Sequence, residues 1–593
     1  MPVKIEILSH NVKVAAKKGA VLSDIISEAG IDLSLYCSGK GLCGRCFIEI
    51  VKGELSPCNA QEKALLHLRN LGKNFRLACQ YRITGDVEIN IPPTSILQKI
   101  PVLETGLRLD LDVEPSTKKY ALVLEKPDLR NPYASLELLE RTLRKRNLQI
   151  SLEALKKLPK ILEGGANTIT AVIFKGFEVI SVEKGDTTKT NYGLAADIGT
   201  TTLVLELVDL NTGATIDSVV ANNSQIKFGA DIVSRISFGY RDSKNMEKLQ
   251  KAMIGDLSRM TRQVLHTNKI KPDHVYEIVI AGNAPMNHFL LGVPVESLAM
   301  APFHAAFQTL AELSAKQVGL KINPNGKTYI VPNIKSFVGG DISAGLLAVD
   351  WATKKGNILF IDLGTNGEIV LKKGQRTAAT STAAGPAFEG MNISSGMPAF
   401  PGAIYKAERK NRLTLHTIGK EPPGGICGTG LIDLVAIFLQ QGKISVNGAI
   451  QNQNKTIPIT KNISLTQKDV REIQLAVAAI KSGTQMMLEV HTLEKEDLDA
   501  VYIAGAFGNY LNIQNAMTLG LLPPIDPKKI IFIGNSSLAG AKALLVSQQT
   551  KQKVETLVKN IRYVSLATNQ NFQDTFISAL DFGWKGERLF IPC

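Results

Sequence analysis

The tetrapeptide Asp197-Ile198-Gly199-Thr200 recurs as Asp362-Leu363-Gly364-Thr365, 165 residues further on, and the likeness extends in both directions. Each copy follows an apolar run, Leu194-Ala195-Ala196 and Leu359-Phe360-Ile361. Each precedes a second strand-like run, Leu203–Val208 and Glu368–Leu371, then a glycine turn at Asn211-Thr212-Gly213 or Lys373-Gly374 and a returning strand. Duplication at that distance predicts two similar lobes rather than a solenoid. Loops of this kind suit phosphate. Gly199 and Gly364 let the backbone approach a polyphosphate, and the N–H groups after them can form an anion-binding nest. The side chains of Thr200, Thr201, Thr365 and Asn366 can add hydrogen bonds. Each aspartate ends a buried strand, where it can serve Mg²⁺ through water or orient an attacking water. No G-x-x-x-x-G-K-[ST] segment occurs, which excludes a P-loop.

A second constraint lies near the N-terminus. Cys37, Cys43 and Cys46 sit on a loop with Gly39, Gly41 and Gly44, and Cys79 follows in Arg76-Leu77-Ala78-Cys79-Gln80. A glycine-rich loop can aim three thiolates and its own N–H groups at one point, which is what a [2Fe–2S] cluster with four thiolate ligands requires. Zinc is the competing reading, but structural zinc usually pairs two short cysteine knuckles, and Cys79 stands alone. A disulfide framework does not suit 593 residues with seven cysteines and no export signal. Cys58 is expected not to be a ligand, and Cys427 and Cys593 to be packing or terminal residues.

Apolar content of 44% and charged content of 21% describe an ordinary globular protein large enough for several cores. No apolar run is long enough to span a membrane, and cysteine usage points to a reducing cytoplasm. The net charge of +14 is spread along the chain, and its densest run, Arg141–Arg146, ends a helix-like segment. Nucleic-acid binding is therefore not expected.

Along the chain, strands are expected at 3–8, 11–15, Phe47–Val51 and Val87–Ile91, with a helix over Leu22–Ala29. The division follows as a cluster domain over 1–93, a linker over 94–105 opened by Pro92-Pro93, a small α+β domain over 106–190 and a large duplicated domain over 191–593. In the small domain, Leu107–Val113 is expected as a strand, Ser135–Arg146 and Leu152–Leu162 as helices, and Ile169–Phe174 with Glu178–Glu183 as a hairpin. It carries no catalytic cluster and is expected to be a spacer, a docking surface or the contact of a homodimer.

The cysteine loop resembles the ferredoxin fold in its adrenodoxin-like spacing variant, over Val3 to Ile91. The duplicated hairpins resemble the actin-like ATPase superfamily of acetate and sugar kinases, heat-shock chaperones and actin, whose two lobes close on ATP. The adenosine motif of that superfamily matches Val501-Tyr502-Ile503-Ala504-Gly505-Ala506-Phe507-Gly508. Its connecting-helix motifs match Gly425–Asp433 and Ile533–Gly540. A ferredoxin domain joined to this ATPase resembles the reductive activators of corrinoid proteins, as do the stretches Ile280–His288, Phe337–Asp341 and Ser381–Gly390.

That resemblance implies a multidomain α/β fold: an N-terminal β-grasp [2Fe–2S] domain, a small α+β domain and a two-lobed actin-like ATPase. It implies ATP and Mg²⁺, with Asp362 orienting water and Asp197 in the metal shell, or the reverse. It also implies one-electron reduction of a partner corrinoid protein, Co(II) to Co(I), fed by a ferredoxin or reductase. A redox-sensing, nucleotide-dependent binding protein and a metabolic kinase fused to a ferredoxin domain are the alternatives. Multiple-turnover cobalt reduction or a phosphorylated product separates them.

Overall fold

The computed structural model describes the chain apart from residues 1, 32, 34–40, 42–43, 56, 69–70, 97–111, 125–128, 130–131, 164–167, 230, 506–509, 570 and 585–593. Cys37, Cys43, Ala506, Phe507, Gly508, Cys593 and most of the expected linker therefore lie outside the described residues. The chain forms two compact units, 1–101 and 102–593.

In the first unit, alternating sequences make a five-stranded sheet. Its strands in spatial order are Val12–Ala16, Val3–Ile7, Val87–Asn90, Phe47–Lys52 and Phe75–Leu77. The first and last of the long strands pair parallel, Ile5 beside Val87, and the other pairings are antiparallel. Period-2 alternation puts Ile5, Ile7, Ile48 and Ile89 on one buried face, against Leu22 and Ile26 of the helix Leu22–Glu28. This is the β-grasp arrangement. A second helix, Ala60–Leu68, was not expected; Asn59 starts it by accepting the Glu62 N–H at 2.7 Å. Of the expected linker, Ser95 is buried and Ile96 bridges to Leu33, so residues 94–96 pack with this unit.

The second unit opens with a four-stranded sheet ordered Thr117–Val123, Thr168–Phe174, Glu178–Lys184, Gln149–Ile150, covered by helices Ser135–Leu143 and Leu152–Glu163. Of the strand expected at Leu107–Val113, residues 107–111 lie outside the described residues and 112–113 are not in a strand; Thr117–Val123, not expected from sequence, pairs with the hairpin. The small sheet is joined to the first lobe by a buried seam. Val172, Phe174 and Ile180 share a core with Tyr276. Glu277, fully buried, pairs with Lys551 and accepts the Thr117 hydroxyl at 3.3 Å.

The duplication read from the sequence is a duplication of topology. Each lobe holds a six-stranded sheet, whose sixth member is a short edge strand, Leu313–Ser314 beside Lys327–Ile330 in the first lobe and Ile561–Tyr563 beside Arg376–Thr382 in the second. The other five strands correspond between the lobes and, numbered in chain order, lie as 3-2-1-4-5. In the first lobe they are Tyr192–Ile198, Thr202–Asp209, Thr215–Asn222, Val275–Gly282 and Lys327–Ile330. In the second they are Asn357–Leu363, Gly367–Lys373, Arg376–Thr382, Ala500–Ala504 and Ile530–Gly534. Strands one to three form antiparallel hairpins, and strands one, four and five run parallel.

A helix follows the fifth strand of each lobe, and both cross to the other lobe. Ile342 and Leu346 of Gly340–Ala348 pack with Ile358, Phe360 and Val370 of the second lobe. Leu538, Ala541 and Leu544 of Ser536–Val546 pack with Ala195, Val279 and Tyr329 of the first. Where the helices cross, a β-carbon on Gly540 would lie 2.0 Å from the Ala344 carbonyl oxygen, so only glycine fits. The connecting pair is therefore Gly340–Ala348 with Ser536–Val546. The segment Gly425–Asp433 instead enters a helix, Gly428–Gln440, buried within the core of the second lobe. No helix among the described residues is long and apolar enough to cross a membrane.

Candidate functional site

At the cluster end, two of the four expected ligands are described. Cys46 immediately precedes the strand Phe47–Lys52, and Cys79 lies two residues beyond Phe75–Leu77. These strands pair antiparallel with Phe47 opposite Leu77, and the Ala78 N–H extends the ladder by donating to the Cys46 carbonyl at 2.9 Å. The register thus delivers both cysteines to one end of the sheet, where both are buried. Gly41 and Gly44 take φ of 71° and 57°, in the left-handed region that favours glycine. The Gln80 amide donates toward the Cys79 Sγ at 3.7 Å. This donor set fits a [2Fe–2S] cluster, which supplies one-electron chemistry when bound. Cys58 is half-buried, and burial, then the nearby Glu62 carboxylate, push its thiol up.

The two loops expected to take phosphate are residues 199–201 and 364–366, each joining the first two strands of its lobe. In the first, the Gly199 N–H donates to the Thr202 carbonyl at 3.0 Å, and a β-carbon there would sit 2.6 Å from that oxygen. Buried Asn223 closes the loop from behind, donating to the Gly199 carbonyl at 2.9 Å and, through its backbone, to the Thr201 carbonyl at 2.8 Å. Asn283, which caps the helix Ala284–Leu291, donates to the Thr200 hydroxyl at 3.3 Å. In the second loop, the Gly364 N–H donates to the Asn366 carbonyl at 3.1 Å, and the Thr365 hydroxyl donates to Glu389 at 2.7 Å. Gly505, at φ 99°, lies against the Leu363 carbonyl and the Asp362 carboxylate.

The aspartates that look equivalent in sequence have different surroundings. Both oxygens of Asp197 are engaged, by Asn535 Nδ2 and by the Ser537 hydroxyl, each at 2.9 Å. Asn535 caps the crossing helix, its Oδ1 accepting the Leu538 N–H at 2.9 Å, and this fixes the amide so that Nδ2 faces Asp197. Asp197 therefore ties the first lobe to the helix that arrives from the second. Asp362 accepts no side-chain hydrogen bond among the described residues. Its cross-strand partner is Glu368, where Asp197 faces Val204.

Asp341, in the first turn of the other crossing helix, completes an acidic group. Burial and then the Asp197 charge push Asp362 up to about 7. Burial and then Asp362 push Asp341 up to about 8. Burial, then Asp341 and Asp362, hold Glu368 well above the ordinary carboxylate range. Burial also raises Asp197, opposed by its two hydrogen bonds. A divalent cation would relieve that repulsion; among the described residues no three acidic, histidine or cysteine side chains close on a common metal point, so Asp341, Asp362 and Asp197 would hold Mg²⁺ through water.

The expected residues Gly199, Thr200, Thr201, Gly364, Thr365, Asn366 and Gly505 thus lie on the loops of one cleft with Asp197 and Asp362. Asp341, Glu368, Glu389, Asn283, Asn535 and Ser537 were missed as site residues. Only Glu368 left a usable signal, an acid opposite the aspartate of a hairpin.

A cluster-binding β-grasp domain and a duplicated-lobe ATPase in one chain define an ATP-dependent iron–sulfur protein. Comparison with known proteins narrows this. Residues 5–84 match the 2Fe-2S iron–sulfur cluster binding domain, 106–189 the RACo linker region, 192–354 the RACo middle region and 356–591 the C-terminal, ASKHA domain of RACo. The corrinoid activation enzyme RamQ of Eubacterium limosum is 31% identical over 615 residues, covering 98% of this chain and 99% of that protein. A Co(II) methylated amine-specific corrinoid protein reductase of Methanosarcina barkeri is 28% identical over 67% of this chain and 78% of its own. The solved structure of a reductive activator for corrinoid, iron–sulfur protein superposes with a TM-score of 0.75 at 32% identity, covering 99% of both chains. The chain belongs to the family of ATP-dependent reductive activators of corrinoid proteins.

Proposed function

We propose that this chain returns the cobalt of a partner corrinoid protein from Co(II) to Co(I), using one electron carried by its [2Fe–2S] domain and driven by Mg·ATP in the two-lobed cleft. The observation that carries the reading is the end-to-end likeness to a corrinoid activation enzyme, with cluster fold and ATPase fold together over 98% of the chain. A low-potential ferredoxin or reductase supplies the electron, and the reaction runs in the cytoplasm. The working division is a cluster domain over 1–93, a small domain over 106–190 and the ATPase over 191–593.

The energetics favour coupling. A cluster near about −400 mV is not reducing enough for Co(I), and each 59 mV is tenfold for one electron. A gap on the order of 100 mV therefore corresponds to about 2 kcal/mol, which nucleotide-driven closure can supply if ATP binds the open and closed lobes differently. Within the cleft, the loops at 199–201 and 364–366, with Gly505 and the residues Ala506, Phe507 and Gly508 beyond it, take the nucleotide. Asp197 serves the metal shell and Asp362 orients water, supported by the engagement of Asp197 and the unbonded carboxylate of Asp362.

The test is anaerobic spectroscopy of a Co(II) corrinoid protein with a strong reductant, full-length chain and Mg·ATP. Cys79→Ser should bind nucleotide yet form no Co(I). Asp362→Asn should keep the cluster spectrum yet form no Co(I). Full activity in either variant would overturn the reading.

A further inference from the structure

The segment Ser381–Gly390 resembles its family without a physical account from sequence, and in the structure it brings a carboxylate to the second phosphate loop. Gly385, at φ 75°, turns the chain into the short turn Pro386–Glu389, and Gly390, at φ 77°, ends it. Ala387 and Phe388 anchor the turn in the core of the second lobe. Glu389 Oε1 accepts the Thr365 hydroxyl at 2.7 Å, while Oε2 is buried with no hydrogen-bond partner among the described residues. A threonine hydroxyl has one proton and two lone pairs. With the proton committed to Glu389, Thr365 can offer the cleft only its lone pairs. It is thus set to accept a hydrogen bond rather than to donate one to phosphate.

We propose that Glu389 is a positioning residue for ATP hydrolysis: it holds Thr365 as the acceptor of the attacking water and takes the proton that Thr365 passes on. This rests on the cleft reading above. The bond that forms joins the water oxygen to the γ-phosphorus. The bond that breaks joins that phosphorus to the β–γ bridging oxygen, and ADP leaves with the electron pair. The water proton goes to Thr365 Oγ1, the Thr365 proton goes to Glu389, and Glu389 later releases it to solvent. Burial raises the proton affinity of Glu389, as a terminal acceptor requires, although the Thr365 bond opposes it. The corresponding loop in the first lobe differs: Thr200 receives the Asn283 amide and keeps its own proton for donation.

The experiment measures ATP hydrolysis by the full-length chain with corrinoid protein present, alongside Mg·ATP-analogue affinity. Glu389→Gln should lower kcat by about 10²-fold, the range of general acid–base effects, with KM and analogue affinity within about twofold. Thr365→Val should match it, and the double variant should fall no further, because the two groups act in series. Thr365→Ser should restore most of the rate, and this pair reads the proposal even if Glu389→Gln folds poorly. Unchanged kcat in Glu389→Gln, a multiplicative double variant, or Thr365→Ser as slow as Thr365→Val would overturn it. Loss of analogue binding by the parent itself would instead sink the cleft reading.

Discussion

Asp197 and Asp362 lie at the end of the same strand of a repeated fold, yet their surroundings differ. Asp197 is held at both oxygens by the crossing helix, so Asp197→Ala should cost stability as well as nucleotide affinity. Leaving Asn535 and Ser537 without their acceptor is worth roughly 1–3 kcal/mol, readable by denaturant unfolding. Asp362→Asn should spare stability and lower ATP hydrolysis by more than about 10²-fold. If both variants unfold like the parent, the lobe-bridging role of Asp197 is wrong.

The acidic group also sets a pH dependence. Asp362 and Asp341, pushed up to about 7 and 8, stand above an unfolded value near 4. The folded state therefore binds these protons more tightly, and their contribution to stability, present below about pH 4, is lost as pH rises through 7 to 8. The nucleotide-free protein should melt a few degrees lower at pH 8.5 than at pH 6, and Asp362→Asn should flatten that difference. Equal slopes in parent and variant would contradict the repulsion. At the cluster, Cys79→Ser should abolish the iron–sulfur absorbance and Cys58→Ser should leave it, in keeping with a half-buried Cys58 whose thiol is pushed up.

At the scale of elements, the two phosphate hairpins were legible because two signals coincide, strand alternation and a repeated Asp-x-Gly-Thr at each strand end. The elements of the β-grasp sheet were readable for the same reason, apart from short Phe75–Leu77 and the helix Ala60–Leu68, whose apolar periodicity is weak. Missing the strand Thr117–Val123 has a tertiary cause: it is half-exposed at an edge and is defined by pairing with Thr168–Phe174. Glu389, Asp341 and Asn535 could not be found from spacing, since each reaches the cleft from a different segment and only packing brings them together. The helix crossing was half legible: Ile533–Gly540 reads as a connecting-helix motif and leads into the crossing helix Ser536–Val546, whereas Gly425–Asp433 was read in place of Gly340–Ala348. Its test is Gly540→Ala, which must displace the Ala344 carbonyl and should destabilise by roughly 1–3 kcal/mol or more. Gly255→Ala, on the exposed face of Ser243–Thr267 with open space around it, should stabilise by about 0.5–1 kcal/mol. Similar effects from the two would remove the crossing as a constraint.

For the whole molecule, the claim is that nucleotide chemistry in the two-lobed unit makes an otherwise unfavourable electron transfer proceed. Helices exchanged between lobes make the cleft and the lobe orientation one mechanical system, and Asp197 fastens that system at the phosphate loop. Coupling is expected in the complex with the corrinoid protein. The direct measurement is the amount of Co(I) formed when the reduced full-length chain meets a Co(II) corrinoid protein, with Mg·ATP, with a non-hydrolysable analogue, and with neither. The account predicts accumulation of Co(I) with Mg·ATP over many turnovers, little with the analogue and almost none without nucleotide. Equal Co(I) in all three would contradict it.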